Sequence, residues 1–347
     1  MRTRTRAFVL ALLPALALSA CASGASQSGE AASGDATGAS GETTAFEAKD
    51  PLTIGYSVYD LQNPYWQSYA AGVEAGAEEV GVEAIIADQK SSQQEQVSGS
   101  LDLINQNISG LVITPVQPSA LPATIDAAHE AKIPVVVADI GVAGDYDAYI
   151  LSNNYNGGEL AAEHVIEELG DVEGTHKVGV IELHAGSVVG EERVAGFVDR
   201  LSEEDNFEIV SQLDGNDTVD GGFAAAQDML SANPDLEVIY AANDDSAIGA
   251  SRAMETAGVS VQDGFVLIGF DGNDAALDLI EQGGMSGTVA QDPFGQGKQA
   301  VETVLALLEG EEPGYSDAET KTVFFPVEMV TGENVAEFRQ GRADQAK

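Results

Sequence analysis

The sequence predicts an α/β protein made of two lobes, each built on a doubly wound parallel sheet. Beyond Asp50, short apolar runs alternate with amphipathic stretches, which is the pattern of successive β-α-β units. The alternation runs through two similar series, which favours two lobes over one continuous sheet. Polar residues follow many of the predicted strands. Ligands of open α/β sheets bind at that edge, so the sequence also predicts a ligand cleft.

The first series alternates four strands with three helices. The strands are predicted at residues 52–58, 83–87, 111–114 and 135–138, and the helices at 65–80, 92–105 and 121–131. A turn around 141–147 and a short apolar segment at 149–151 end this series.

The second series repeats the pattern. Strands are predicted at 178–183, 208–213, 238–241 and 266–270, and helices at 156–169, 190–201, 220–232, 246–257 and 274–281. A last helix at 293–308 and a late apolar run at 322–327 then have to join one lobe or the other.

The N-terminus has the form of a secretion signal. Three arginines within residues 1–6 precede an apolar run from Ala7 to about Leu18, too short for a settled transmembrane span. The run ends in Leu-Ser-Ala-Cys, which resembles a bacterial lipobox, so we expect residues 1–20 to be a lipoprotein signal peptide and Cys21 to be lipidated. An ordinary cleaved signal with a chance cysteine is the alternative. Cys21 is the only cysteine, so no internal disulfide can form.

Residues 21–49 are predicted to be a flexible acidic tether. They are rich in Ser, Gly, Ala, Thr and Glu and show no apolar periodicity. A chain of this kind has a root-mean-square span of roughly 30 Å, which lets a folded body reach a membrane partner.

Composition excludes several classes of partner. The 347 residues, 44% of them hydrophobic, suffice for two domains with real cores. The formal net charge is −42, which disfavours nucleic acid and anionic membrane surfaces, because no basic surface is available to displace counterions. The acidic excess is expected to be a solvated shell, as on a salt-adapted surface.

No catalytic, metal or cofactor motif is present. The sequence lacks G-x-S-x-G, H-E-x-x-H and the P-loop pattern. A calcium-like alternation from Asp214 fails, because Val219 replaces the required Gly and Ala225 cannot ligate. We therefore expect no enzyme activity, no metal and no cofactor, with the four histidines in structural or surface positions.

An aromatic corner follows the first strand. Pro64 keeps Asn63 extended at the strand end and starts a helix with Tyr65 and Trp66. These two aromatic rings either cover the apolar face of a ligand or belong to the core of the first helix.

The polar set suits a polyhydroxylated solute. The carboxylates of Asp139 and Asp271 accept hydroxyl hydrogens, Asn63 and Asn243 donate and accept, and Arg193 only donates. From composition alone, a surface ion pair between Arg193 and one of the many acids is favoured over a ligand contact.

From Leu52 to about Glu309 the chain resembles the periplasmic sugar-binding proteins of the ribose and galactose type, which are class I solute-binding proteins of ABC importers. The resemblance rests on the following segments: Asn63-Pro64-Tyr65-Trp66, Arg193-Val194-Ala195-Gly196-Phe197, Ala242-Asn243-Asp244-Asp245, Gly269-Phe270-Asp271-Gly272 and Ala290-Gln291. It implies that these residues contact the sugar: Asn63, Tyr65, Trp66, Asp139, Arg193, Asn243, Asp271 and Gln291.

Four further positions are possible ligand contacts. Thr114 stands where ribose-binding relatives have Asn, and Ile140 stands where an Arg follows the strand-end Asp. Asp217 falls near an aromatic position, and Asp60 adds another acid close by. A cleft with one cation fewer makes ribose doubtful and leaves another neutral sugar, a polyol or an amine-bearing ligand open.

The family pattern implies three hinge crossovers, near 152–154, 291–293 and 321. The first lobe would comprise residues 50–152 completed by 293–320, and the second 153–292 completed by 321–335, with 336–347 as a tail.

The expected function is that of an extracytoplasmic lipoprotein, anchored to the outer face of the cell membrane. As a monomer it would capture a sugar or sugar-like polyol and deliver it to an ABC permease, closing its lobes about the hinges. The alternative is a receptor domain that reports ligand to a membrane sensor. A transcriptional regulator is disfavoured by the secretion signal.

Overall fold

The computed structural model describes residues 46–345, apart from 142, 143 and 171. The signal peptide, Cys21 and nearly all of the predicted tether therefore lie outside the described residues. No helix among those described is both long and apolar enough to cross a bilayer.

The first lobe begins with a regular β-α series. Its elements are β1 Thr53–Val58, α1 Pro64–Glu79, β2 Glu83–Asp88, α2 Gln93–Asn105, β3 Gly110–Ile113, α3 Leu121–Glu130, β4 Val135–Ala138 and β5 Ala148–Ser152. A short 3₁₀ turn, Pro118–Ala120, precedes α3.

The second lobe continues the same alternation. Its elements are α4 Asn154–Leu169, β6 His176–Glu182, α5 Val188–Leu201, β7 Phe207–Asp214, α6 Val219–Ala232, β8 Leu236–Ala241, α7 Asp244–Ala257, β9 Val266–Asp271, α8 Asp274–Gln282 and β10 Gly287–Ala290. A 3₁₀ turn, Val261–Asp263, precedes β9.

The last elements divide between the lobes. They are α9 Pro293–Glu309, β11 Thr322–Phe325, β12 Glu328–Thr331 and α10 Val335–Gln345. The first sheet has the order β11-β5-β4-β3-β1-β2 and the second β12-β10-β9-β8-β6-β7. Within the described chain, β12 is antiparallel to β10 and every other strand pairing is parallel. The predicted two-lobed parallel α/β fold is confirmed.

The placement of residues 322–325 in the second lobe is wrong. β11 pairs with β5 in the first sheet, from Thr322 opposite Tyr149 to Phe325 opposite Ser152. The apolar run predicted at 322–327 is interrupted by Pro326, which cannot donate to a strand ladder. The third crossing therefore lies at residues 326–327 and not near Lys321.

The predicted tail contains the helix α10. Val335 is buried, Phe338 packs against the second-lobe core, and Arg339 pairs with Asp278 and Glu281 of α8. The sequence analysis also missed β10 and β12, because their segments mix polar with apolar residues and form no continuous apolar run of the kind that marks β3 and β4.

Both faces of each sheet are covered by apolar side chains. In the first lobe, Val112 and Val136 pack in one cluster, while Leu111 and Val135 face the opposite one. This alternation is what a parallel sheet between two helical layers requires.

Helix α9 leaves the second lobe and packs against α1 of the first through glycines. A Cβ on Gly297 would lie 2.3 Å from the carbonyl oxygen of Tyr69, and one on Gly72 would lie 2.0 Å from that of Phe294. The backbones of the two helices are therefore in direct contact at these glycines, and a side chain at either position would push the helices apart.

We predict that Gly297→Ala lowers the free energy of unfolding by about 1–3 kcal/mol, since the added methyl group strains this crossing. Gly341→Ala is the control, because a Cβ there meets nothing within 4 Å. Gly341→Ala should leave the free energy of unfolding unchanged or raise it by up to about 1 kcal/mol, because Ala has a higher helix propensity than Gly. Urea unfolding midpoints measure both. Equal midpoints for the two variants would contradict the packing argument.

Candidate functional site

A cleft lies between the lobes where the carboxyl ends of the two sheets face each other. A cavity of about 1040 Å³ opens there, lined by Asp139, Ile140 and Tyr149 of the first lobe and by His184 and Asp217 of the second, among others. No Lys or Arg is among the described residues that line it. The cavity is large enough for a small solute with ordered water.

Tyr65 links the first lobe to the hinge at the base of the cleft. Its hydroxyl donates to Asp139 Oδ1 at 2.9 Å, and Gln291 Oε1 lies 3.3 Å away. Gln296 Nε2 donates to the same hydroxyl at 3.3 Å and to Ser152 Oγ at 3.1 Å. Three hydrogen-bonding side chains therefore surround the phenol oxygen.

Gln291 continues the network into the second lobe. Its Oε1 accepts from Ser152 Oγ at 2.7 Å, and its Nε2 donates to Asp271 Oδ1 at 2.8 Å. The residue follows β10 at the second crossing, so a change in hinge geometry would alter contacts with both lobes.

Arg193 is a buried cation of the second lobe, with 6% of its surface exposed. Its Nη1 donates to Asp271 Oδ1 at 3.0 Å and to the Ala242 carbonyl at 2.8 Å. Its Nε donates to Asn154 Oδ1 at 2.9 Å, and the guanidinium lies 3.8 Å from the Phe270 ring centroid. This buried pairing excludes the surface ion pair that composition alone favoured.

Five predicted site residues thus form one hydrogen-bonded network: Tyr65, Asp139, Gln291, Asp271 and Arg193. Whether each contacts a ligand remains a prediction. The network offers carboxylate acceptors beside amide and guanidinium donors, which is the chemistry that hydroxyl groups require.

Burial dominates the electrostatics of the cleft. It raises the pKa of Asp139 to about 6, against the opposing effects of the Tyr65 hydrogen bond and the Arg193 charge. Burial also raises the pKa of Asp271, although Arg193 and Gln291 favour its charged form. The pKa of Tyr65 rises for the same reason, so its hydroxyl stays protonated and remains a donor.

Asn63 and Asn243 are helix N-caps. Asn63 Oδ1 accepts from Tyr65 N at the start of α1, and Asn243 Oδ1 accepts from Ser246 N in the first turn of α7. Asn63 is exposed, whereas Asn243 is half-buried and its Nδ2 lies 3.4 Å from the Asp217 carbonyl. Capping alone explains an amide at these strand ends, so their contact with a ligand stays a prediction.

Trp66 lies in the first-lobe core, with 7% of its surface exposed. Its ring stacks on Tyr59 with centroids 5.7 Å apart and meets the Tyr65 ring edge-on at 4.7 Å. This position favours the core alternative for Trp66, while the Tyr65 hydroxyl belongs to the polar network.

The four possible contacts occupy different surroundings. Thr114 is fully buried and hydrogen-bonds Tyr56 at 2.9 Å, and Asp60 accepts from Ser91 and Gln62 on the outer side of the corner. Ile140 and Asp217 line the cavity. Asp217 accepts from the His184 backbone N–H at 2.8 Å and pairs with His184 Nδ1 at 2.5 Å, and both side chains remain partly exposed to solvent.

Sequence reasoning did not select Ser152, Asn154 or Gln296 as site residues. Ser152 and Asn154 flank the first predicted crossover, and that position was the available signal. Gln296 lies within α9, which belongs to the first lobe, and no local pattern shows that it faces the base of the cleft.

Comparison with known proteins identifies the family. Residues 54–312 match the family described as "Periplasmic binding protein domain". The ribose import binding protein RbsB of Bacillus subtilis is 32% identical over 284 residues, which cover 82% of this chain and 88% of that protein. The chain belongs to the periplasmic sugar-binding protein family. The predicted resemblance is therefore confirmed.

Other relatives support the same family assignment. RbsB of Escherichia coli K12 is 31% identical over 76% of this chain and 87% of its own length. A sugar-binding protein of a sugar ABC transporter from Bacillus halodurans has a TM-score of 0.72 and 26% identity, covering 82% of this chain and 99% of that one. An Actinobacillus succinogenes solute-binding protein with bound D-allose has a TM-score of 0.70 and 25% identity, at the same coverage.

We predict that Asp139→Asn changes how stability depends on pH. The folded state holds the Asp139 proton more tightly than the unfolded chain. This group's contribution to the free energy of unfolding is therefore largest below pH 3.8 and falls as the pH rises through about 6. Asn does not titrate, so the variant does not lose this contribution as the pH rises. The free energy of unfolding of the variant relative to wild type should therefore increase from pH 4 to pH 7.

Thermal unfolding at pH 4, 5, 6 and 7 without ligand measures this difference. Asp126→Asn, which removes one charge from the exposed face of α3, is the control and should show a pH-independent difference. A pH-independent difference for Asp139→Asn as well would contradict the assignment.

Proposed function

We propose that this chain is the substrate-binding component of an ABC importer, which captures a sugar or sugar-like polyol between its lobes and delivers it to a permease. The proposal rests chiefly on the continuous network from Tyr65 through Asp139, Gln291 and Asp271 to Arg193. The relatives named as ribose import proteins and as a sugar transporter component support it.

The network places complementary groups on both lobes. Asp139 on the first lobe and Asp271 on the second accept hydroxyl hydrogens, while Arg193 donates beside Asp271. A ligand that binds both lobes stabilises the form in which they face each other, and Gln291 at the second crossing couples the two.

The balance of charged groups in the cleft indicates which class of ligand it can bind. Arg193 is paired with Asp271, and Ile140 supplies an apolar surface where ribose-binding relatives have a second arginine. Asp139, Glu192, Asp217 and Asp317 are the acids among the described residues that line the cavity. Neutral sugars, polyols and amino sugars are therefore the panel to test, with no preference for ribose.

We further propose that the protein acts as an extracytoplasmic monomer that a lipid on Cys21 anchors to the outer face of the membrane. The support is the arginine-rich start, the apolar run and the Leu-Ser-Ala-Cys ending. The acidic tether would allow the lobes to reach the permease.

We predict that at least one sugar of a panel of D-ribose, D-allose, L-arabinose, myo-inositol and D-glucosamine changes Trp66 emission and raises the melting temperature. Tyr65→Phe and Asp271→Ala should each weaken that binding by about tenfold or more, because an unpaired buried polar group costs about 1–3 kcal/mol. Arg193→Ala should do the same.

The matched control is Arg200→Ala, on the same helix as Arg193 but paired with surface acids. It should leave affinity unchanged. If no panel member binds wild type, the carbohydrate assignment fails. If a sugar binds equally well to all the cleft variants, the site lies elsewhere.

We predict that Cys21→Ser releases the protein from the membrane fraction and abolishes labelling by an alkyne fatty acid in the native host, since the thiol is the acyl acceptor. A Cys21→Ser, Ser23→Cys double variant tests whether a displaced thiol can substitute, and it should stay unlabelled. Equal labelling of wild type and Cys21→Ser would rule out the anchor.

A further inference from the structure

The turn that carries Asp271 has an unusual backbone. Asp271 has φ = +117° and Gly272 has φ = +74°, directly after β9. Positive φ is uncommon for a residue with a side chain, and such a conformation persists only where the surroundings hold it. A Cβ on Gly272 would lie 2.6 Å from that of Ala290, so the turn is also tightly packed.

One side of the turn is held by a buried carboxylate. Asp244, the first residue of α7, is fully buried, and its Oδ2 accepts from Asn273 N at 2.7 Å. The Gly272 N–H also donates to it, and Thr288 Oγ1 donates to its Oδ1 at 2.7 Å. Gly269 makes room for this group, since a Cβ there would lie 2.3 Å from Asp244 Oδ1.

The other side is held by the C-terminal helix. Arg342 Nη1 donates to the Gly272 carbonyl at 2.7 Å, while its guanidinium lies 5.5 Å from the Phe338 ring centroid. Asp274 Oδ1 lies 3.9 Å from Arg342 Nη1. Arg342 belongs to α10, beyond the segment 54–312 that matches the family, so the family match does not account for this contact.

We propose that Arg342 is a positioning residue for the Asp271 carboxylate, holding from the side of α10 the turn that the buried Asp244 holds from within the second lobe. Arg342 is not among the described residues that line the cavity between the lobes. It acts on the Gly272 peptide, and the backbone of that turn sets where Asp271 meets Arg193 and Gln291. This inference rests on the proposed function in taking Asp271 as a ligand contact.

The first test needs no ligand. Hydrogen exchange of the peptide covering residues 266–273 should be faster in Arg342→Ala than in wild type, because the turn loses its outer hydrogen bond and the Gly272 and Asn273 N–H groups that donate to Asp244 open more often. Arg339→Ala is the matched control, since it removes ion pairs between α10 and α8 and a hydrogen bond to the Asp274 carbonyl, outside the measured peptide, but no contact to Gly272. Equal exchange in the two variants would show that α10 merely packs on the lobe, and would overturn the inference.

The second test is a double-mutant cycle with the tightest-binding sugar of the panel. Arg342→Ala should weaken binding by about three- to tenfold, the range for one hydrogen bond, and Arg342→Lys should recover part of the loss. In an Asp271→Ala background, Arg342→Ala should cause no further loss, because its effect passes through that carboxylate.

The outcomes separate the two proposals. If Asp271→Ala weakens sugar binding while Arg342→Ala leaves it unchanged, the positioning role fails and the sugar site stands. Additive losses of sugar affinity in the double variant would likewise contradict the positioning role. If no sugar binds wild type, the proposed function fails, and the exchange experiment still decides whether Arg342 holds the turn.

Discussion

Pairing of the buried Arg193 guanidinium is the constraint on which the polar network of the second lobe depends. A cation with 6% exposure is costly to bury unless its donors are satisfied, and here acceptors come from α4, the end of β8 and the end of β9. Four elements must therefore keep their relative positions. The same carboxylate that neutralises Arg193 also accepts from Gln291, which links this network to a hinge crossing.

The ends of the strands serve two purposes. Asn63, Asn243 and Asn273 each accept a backbone N–H in the first turn of the helix that follows, so they stabilise those helices without any ligand. In the same region Asp139 and Asp271 project into the network. Both acids have positive φ, which turns the chain sharply at the strand end.

The two aromatic residues of the first corner show how this division works. Pro64 starts α1, so Tyr65 and Trp66 point in different directions from adjacent helical positions. The Tyr65 hydroxyl reaches the polar network, while Trp66 packs on Tyr59 and Tyr69. A corner that looks uniformly aromatic thus supplies one polar contact and one core residue.

Much of the fold could be predicted from sequence, because parallel strands buried on both faces and amphipathic helices leave strong local patterns. The sequence by itself determined the two-lobed α/β class, and its motifs selected the residues of the network, such as Arg193 and Asp271. It could not show that Thr322–Phe325 pairs with β5, that α10 packs on the second lobe, or that Gln296 reaches Tyr65. Only the tertiary structure decided these, because contacts between segments that are distant in the chain leave no local pattern in the sequence.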